Sequence, residues 1–323
     1  SMEAGLGSLL QVVGLSDTAN ISFTNNRWSE NTMQEFVMMV EIRNGGQIQI
    51  EGTNVTGSTG GIQYDWLNAT SKRTTTLEIR DTFVQTVPNV RFIVTNIMDV
   101  TIDNLVITGQ GPQTAVYALE SSNVTISRWK QETTDSTNGV MTNGSLTVTD
   151  CEVSGVLYPI EMIYPIDDIG MYVNNCHLSN GEIGIRSSSV NTTVTNTKIS
   201  LMSPYGIQVY GPNATLTNVT VEDSGKGEVG ESIGVYTACV LRATHVVIGP
   251  IEENYAGGIY IDVGSKAYLE DVNVTNTNFG LRANLGIVIA NHTNWAHTSI
   301  RMSQSEFHAE NSLFEAVDVA KSG

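Results

Sequence analysis

The sequence predicts an all-β solenoid, and three observations lead to this prediction. A short phrase recurs along nearly the whole chain, in which apolar and polar residues alternate up to an Asp or Asn. The phrase returns after about 21 to 33 residues, a period that is typical of solenoids, propellers and arrays. Val, Ile and Thr dominate, and no stretch has the pattern of a long helix, so each phrase is predicted to be a short strand.

The phrase is clearest between residues 145 and 223, where it reads SLTVTDCEVSG, GMYVNNCHLSN, NTTVTNTKISL and NATLTNVTVED. We use its Asp or Asn position as a marker for each repeat. Three positions after the marker the residue is apolar, except at Gln131. The markers are Asn25, Gly52, Asp81, Asn104, Arg128, Asp150, Asn175, Asn196, Asn218, Ala243, Asp271 and Gln304.

A second strand recurs within each period, as in GGIQY at 60–64, GEIGI at 181–185 and YGIQV at 205–209. Several strands per repeat without a crossover helix predict a parallel β-helix, whose rungs stack about 4.8 Å apart. We expect one such domain over residues 19–323, with about twelve rungs. Residues 1–18 are predicted to cap the first rung, as a short helix or as a first strand.

These repeats resemble those of the pectate-lyase-like superfamily of right-handed parallel β-helices, and the resemblance covers nearly the whole chain. In that family an Asn commonly occupies a tight corner between two strands, because Asn tolerates left-handed backbone dihedrals and its amides stack in ladders. The family's catalytic motifs are not matched. The resemblance implies a structural ladder at this corner, formed by Asp81, Asn104, Asp150, Asn175, Asn196, Asn218 and Asp271.

Charge and hydropathy exclude several function classes. The chain of 323 residues has a formal net charge of −17, and only 15% of its residues are charged. No basic patch is present to neutralise phosphates, so we expect no nucleic-acid partner. No apolar run approaches the length of a membrane span, so membrane attachment is expected only through an anchor that this sequence lacks.

N-x-S/T sequons suggest where the protein is located. Four of them fall five residues before a marker and should share one edge of the solenoid: Asn20, Asn123, Asn191 and Asn213. Asn218 also lies in a sequon, but as a corner residue it is expected to point inward. Sequons also arise by chance in Asn- and Thr-rich sequences. Together with the low charge content, they predict a secreted or cell-surface glycoprotein.

Two of the three cysteines follow markers in successive repeats. Stacked positions lie about 4.8 Å apart at Cα, which is within the range of a disulfide. Cys151 and Cys176 are therefore candidates for a disulfide, and a pair of reduced thiols is the alternative. Cys239 is expected to be a lone thiol in the core.

The outward positions of the second strand follow from its alternation. They form the column Gln63, Tyr117, Met141, Glu161, Gly184, Gln208, Tyr236, Tyr260, Arg282 and Asp318. Tyrosine rings can stack on sugar rings, and amide and guanidinium groups can bond to hydroxyls. The ligand-binding residues predicted from this column are Tyr117, Gln208, Tyr236, Tyr260 and Arg282.

An enzyme on this fold needs clustered carboxylates with a base, and the sequence shows no such cluster. The best catalytic candidates are Glu161, Arg186 and Tyr210, for which solvated surface is the alternative interpretation. His292 and His297 lack a neighbouring Cys or acid, so we expect no metal site. We also expect no cofactor, and Ca²⁺ enters only with the enzyme alternative.

The sequence therefore favours a non-enzymatic extracellular or cell-surface β-helix protein that recognises a carbohydrate or another surface ligand through its sheet faces and loops. The alternative is a carbohydrate-active enzyme, namely a polysaccharide lyase, epimerase or hydrolase. Segments that depart from a regular rung are where function is expected. They are residues 158–170, 222–232 and 251–258.

Overall fold

A computed structural model describes residues 10–13, 19–25, 27–29, 38–42, 46–58, 62–66, 76–86, 92–95, 99–110, 114–119, 123–163, 169–225, 230–236, 238–250 and 256–322. All regular elements in these ranges are strands, and all pair in parallel, so the predicted all-β parallel solenoid is confirmed. None of the described segments is a helix long and apolar enough to cross a membrane. The chain divides into two compact units, Ser1–Asp167 and Asp168–Gly323, which we describe separately.

The first unit contains strands β1 to β14. Their bounds are β1 Leu10–Val13, β2 Ala19–Thr24, β3 Arg27–Ser29, β4 Met38–Ile42, β5 Gly46–Glu51, β6 Asn54–Ser58, β7 Ile62–Trp66, β8 Thr76–Thr86, β9 Phe92–Thr95, β10 Asp99–Gln110, β11 Thr114–Leu119, β12 Asn123–Ser127, β13 Lys130–Thr142 and β14 Ser145–Met162.

The second unit contains strands β15 to β27. Their bounds are β15 Gly170–Ser187, β16 Asn191–Val209, β17 Asn213–Glu222, β18 Gly230–Val235, β19 Val240–Ile248, β20 Ala256–Ile261, β21 Lys266–Glu270, β22 Asn273–Thr275, β23 Phe279–Asn284, β24 Ile287–Asn291, β25 Asn294–Ser303, β26 Glu306–Glu310 and β27 Leu313–Ser322.

Each rung presents three faces, as β16 illustrates. Residues 191–195 form the first face and pair with β17, residues 197–200 continue that pairing on the second face, and residues 205–209 form the third face and pair with β18. The chain turns a corner between successive faces. Strand β16 runs through two of these corners, which is why it is longer than a single face.

The stacks of strands run the length of each unit. On the first face they contain six strands in the first unit and seven in the second. The number of rungs differs slightly from the predicted twelve.

Within the predicted cap, Leu10–Val13 is a strand that pairs with β4. Residues 1–9 and 14–18 lie outside the described residues, so the cap and the single domain over 19–323 stay predictions.

Alternation along each strand builds the core. In β17 every second residue on either side of the corner is buried, and the remaining residues face outward. Residues at equal positions then stack on the next rung, as Val194, Leu216, Ala243 and Leu269 do, all of them almost fully buried. Burying each Val or Leu side chain contributes roughly 1.5–3 kcal/mol, so every rung adds to the stability of its neighbours.

Gln131, the exception in the apolar pattern, keeps its core position. Only 1% of its surface is exposed, and its amide nitrogen donates to the hydroxyl oxygens of Thr133 at 3.3 Å and Ser136 at 3.2 Å. The longer segment between this residue and the third face supplies these polar partners. The buried amide nitrogen is thus satisfied locally, whereas Gln131 Oε1 has no hydrogen-bond partner among the described residues.

The structure places all seven predicted ladder residues at left-handed corners between the first and second faces, with φ between 47° and 56°. Their amides bond along the stack. Asn104 Nδ2 donates to Asp81 Oδ1 at 2.7 Å, and Asn218 Nδ2 donates to Asn196 Oδ1 at 2.8 Å. These side chains are at the surface, so the expectation that Asn218 points inward is wrong.

Two of the markers do not lie at this corner. Ala243 is buried in β19, and the corner of its rung is His245, with φ of 54°. Gln304 has a positive φ of 48°, but it follows the third face. The corner of the last two rungs is formed by His292 and Asn311, with φ of 50° and 48°. Histidine, like Asn, adopts left-handed backbone dihedrals more readily than most residues, so it can occupy this corner.

The candidate glycosylation sites begin strands of the first face. Asn20 lies in β2, Asn123 and Asn191 are exposed, and Asn213 is half-buried. Asn191 and Asn213 are direct neighbours in adjacent rungs. Two glycans about one rung spacing apart would collide, so at most one of these two sites is expected to carry a glycan.

The cysteines lie at inward positions. Cys151 and Cys176 are both buried, with 4% and 3% of their surface exposed, and they belong to different units. The disulfide between them stays a prediction. Cys239 is a buried free thiol, and burial raises its pKa to about 11.

Candidate ligand-binding face

The predicted ligand-binding residues lie on the third face. In the second unit Arg186 pairs with Gln208, Gln208 with Gly234, Gly234 with Tyr260, and Tyr260 with Arg282. Tyr117 belongs to the first unit, where it is half-buried and pairs with Met141. Four of the five predicted residues therefore lie in the second unit, and we describe the face there.

The backbone of Tyr236 does not lie where the sequence predicts. The alternation of inward and outward residues predicts Tyr236 beside Gln208, but Gly234 is the residue that pairs with Gln208, and Tyr236 comes two residues later. The Tyr236 ring folds back over Gly234. A Cβ atom at residue 234 would therefore lie only 2.7 Å from the Tyr236 hydroxyl oxygen. The ring thus fills the space that the missing side chain leaves.

Three tyrosines form a continuous row, which we call the tyrosine row: Tyr210, Tyr236 and Tyr260. The rings of Tyr210 and Tyr236 stack at 4.9 Å with an interplanar angle of 16°. The rings of Tyr236 and Tyr260 lie 5.5 Å apart at 53°. A guanidinium closes each end, since Arg186 Cζ lies 5.9 Å from the Tyr210 ring and Arg282 Cζ lies 5.5 Å from the Tyr260 ring.

Hydrogen bonds hold the rings in place. The Tyr236 hydroxyl donates to Glu231 Oε2 at 3.2 Å, and Glu231 is only 8% exposed. The Tyr210 hydroxyl donates to Gln208 Oε1 at 3.4 Å, and Gln208 is 4% exposed. The Tyr260 hydroxyl donates to Asp262 Oδ1 at 3.0 Å. Each hydroxyl therefore has a fixed acceptor, and the exposed ring surface is preorganised.

Burial dominates the electrostatics of this face. It raises the pKa of Glu231 to about 7, although the Tyr236 hydrogen bond and the charge of Arg282 act in the opposite direction. Burial and the nearby Glu231 carboxyl raise the pKa of Tyr236. Burial, followed by the hydrogen bond to Asp262, raises the pKa of Tyr260 to about 12. Tyr236 and Tyr260 therefore stay neutral at physiological pH, while the pKa of Glu231 lies close to it.

A small open pocket adjoins the row. Glu231, Arg282 and Phe279 line it, and Arg301 Cζ lies 4.0 Å from the centroid of the Phe279 ring. Three glycines let neighbouring backbones approach closely at this point. The lining residues are Gly230, Glu231, Gly257, Gly258, Ile259, Phe279 and Arg282.

The catalytic candidates are divided between the two units. Arg186 and Tyr210 are in contact within the second unit. Glu161 belongs to the first unit, where it pairs with Met141 and is 4% exposed, so it is not the solvated outward residue that the alternation indicated. A joint site of these three residues stays a prediction.

Sequence reasoning missed Glu231 and Phe279 as parts of the site. A signal for Glu231 was present, because residues 222–232 depart from the regular rung. Phe279 gave no such signal, since its place depends on the pairing of β23 with β20.

The face can bind planar or hydroxyl-rich groups. It offers exposed aromatic surface, two guanidinium groups and one titratable acid, and these groups lie on strands except for Tyr210 and Tyr236, which directly follow them. Neither a scan against protein-family models nor a search of curated proteins found a match to this chain.

Proposed function

We propose that this protein is a non-enzymatic extracellular or cell-surface protein that recognises a carbohydrate through the third face of its second unit. The tyrosine row with its two flanking arginines is the observation that carries the proposal. Other surface ligands with the same chemistry, such as acidic or aromatic groups, belong to the same proposal.

The chemistry of the row supports carbohydrate as the ligand. Sugar rings present C–H faces that stack on aromatic rings, and hydroxyls that accept hydrogen bonds from guanidinium groups. Tyr210 is 41% exposed although its hydroxyl is already bonded to Gln208, so its ring surface is available at little entropic cost. The arginines at both ends favour a sugar that carries carboxylate or sulfate groups.

A glycan-array screen with the purified protein tests this proposal, followed by titration of the best ligand. Tyr210→Ala removes the most exposed ring of the row and should weaken binding by about tenfold, the value of one well-packed aromatic contact. Tyr172→Ala is the matched control, because Tyr172 is 39% exposed and lies on the first face. Equal effects of the two substitutions, or no ligand on the array, would contradict the proposal.

Glu231 supports a second candidate function, that of a carbohydrate-active enzyme. A buried carboxyl with a pKa of about 7, hydrogen-bonded to a tyrosine and lining an open pocket, has the properties of a general acid or base. Release of unsaturated or reducing ends from acidic polysaccharides is the assay. Activity that is lost in Glu231→Gln, or in Glu161→Gln, would replace the binding function by this one.

Three further statements belong to the proposal. Membership of the pectate-lyase-like superfamily is supported by the parallel solenoid and by the left-handed Asn and Asp corners. Location outside the cell is supported by the sequons, of which Asn123 and Asn191 are exposed. A role in nucleic-acid binding is not proposed, since the net charge is −17.

A further inference from the structure

A second cluster of chemically reactive side chains lies away from the third face, at the corner between the first and second faces. Glu270 ends β21, Asp271 forms the corner of its rung, and His292 forms the corner of the next rung. His292 Nδ1 lies 3.1 Å from Glu270 Oε1. One potential ligand atom from each of the three residues lies within 4.8 Å of the other two.

The corner geometry explains why these groups project into solvent together. Asp271 and His292 both have a φ of 50°, and both are exposed. The Asp271 amide donates to the carbonyl of Asn291 at 3.2 Å, which places His292 one rung beyond Asp271. On the preceding rung, His245 Nε2 lies 3.3 Å from Asp271 Oδ2. Histidines and carboxylates thus alternate along three successive rungs.

A second layer of hydrogen bonds orients the carboxylate of Glu270. Asn291 Nδ2 donates to its two oxygens at 3.1 and 3.0 Å, and Asn311 Nδ2 donates to Asn291 Oδ1 at 3.2 Å. Hydrogen bonds of this kind around ligating side chains commonly set their orientation in metal sites. His245 orients the carboxylate of Asp271 in the same way, since its Nε2 lies 3.3 Å from Asp271 Oδ2.

We propose that Glu270, Asp271 and His292 bind one divalent transition-metal ion, for which Zn²⁺ is the best match. Imidazole and carboxylate together suit zinc, whereas sites for calcium or magnesium are built from oxygen ligands alone. Zinc–ligand bonds of about 2.1 Å put neighbouring ligand atoms of a tetrahedral site about 3.4 Å apart. His292 Nδ1 and Glu270 Oε1 lie 3.1 Å apart in a hydrogen bond, and this distance is also close to that edge. The net charge of −17 also raises the local concentration of cations.

Calorimetric titration of the full chain with ZnCl₂ tests this site, with CaCl₂ in a parallel titration. We expect one saturable Zn²⁺ site, with affinity reduced about tenfold or more in His292→Asn and in Asp271→Asn. Asn already occupies this corner at Asn196 and Asn218, so both variants should keep the fold. His297→Asn is the matched control, because His297 is also exposed at a positive φ of 51° and lies outside the cluster.

Several outcomes would overturn the proposal. They are no saturable zinc binding by the wild type, binding that is unchanged in both corner variants, and binding that falls equally in His297→Asn. Calcium affinity equal to zinc affinity would indicate that the acidic surface attracts divalent cations without a specific zinc site. The thermal unfolding midpoint gives an independent readout, since Zn²⁺ should raise it more in the wild type and in His297→Asn than in the corner variants.

Discussion

At the scale of single residues, Glu231 differs most from an ordinary surface acid. It is 8% exposed, its carboxylate accepts a hydrogen bond from Tyr236, and burial raises its pKa from 4.5 to about 7. The protonated form is therefore favoured in the folded state. Between these two pH values the folded chain keeps a proton that the unfolded chain has lost.

This difference predicts how stability depends on pH. The contribution of Glu231 to the free energy of unfolding is fully present below about pH 4.5 and is lost as the pH rises through about 7. Between pH 5 and pH 8 the free energy of unfolding of the wild type should fall by about 2 kcal/mol more than that of Glu231→Gln, whose neutral amide does not titrate. Urea unfolding at the two pH values measures both losses, and parallel losses would show that Glu231 is not the cause.

At the scale of the element, the left-handed corner defines each rung. An L-residue other than Asn, Asp or His is usually strained there, because its Cβ crowds the backbone. The corner residues also bond along the stack, as Asn218 does to Asn196. Conformation and hydrogen bonding therefore both select the residue type at this position.

Two substitutions at one corner separate these causes. Asn218→Ala and Asn218→Gly both remove the side-chain hydrogen bond, but only alanine is strained at φ of 53°. The alanine variant should be less stable by about 1 kcal/mol, after the entropic cost of glycine is deducted. Urea unfolding of the two variants at one pH gives this difference. A glycine variant that is the less stable of the two would show that backbone strain does not select the corner residue.

At the scale of the whole molecule, stability is the sum of many similar rungs, each of which contacts only its neighbours. A covalent link between successive rungs would restrict the unfolded chain. For the loop between Cys151 and Cys176 such a link would contribute about 3 kcal/mol. The oxidation state of these two residues therefore affects stability more than any single surface contact.

Thiol titration in denaturant determines that state. If the predicted disulfide is present, only Cys239 reacts before reduction, and all three cysteines react after it. Denaturant is needed because all three side chains are buried. Three reactive thiols in the unreduced protein would favour the alternative of a reduced pair.

How much the sequence could predict depended on the range of the interactions. The alternation of apolar residues and the tolerance of Asn for left-handed dihedrals are local, so strands and most corners were recognisable in the printed chain. His245 and His292 were missed as corners because Asn and Asp were expected as the typical corner residues. Ala243 was mistaken for a corner because its neighbours fit the same alternation.

Local patterns in the sequence therefore predict the all-β solenoid, its repeat and several side chains of its third face. Which side chains contact one another follows from the folded structure. In that structure the Tyr236 ring lies over Gly234, the buried Glu231 accepts a hydrogen bond from Tyr236, and His292 lies beside Glu270. Each of these contacts depends on the offset between successive rungs, which varies with the length of every intervening loop. A local pattern carries no information on that offset, because it is set by the stacking of whole rungs.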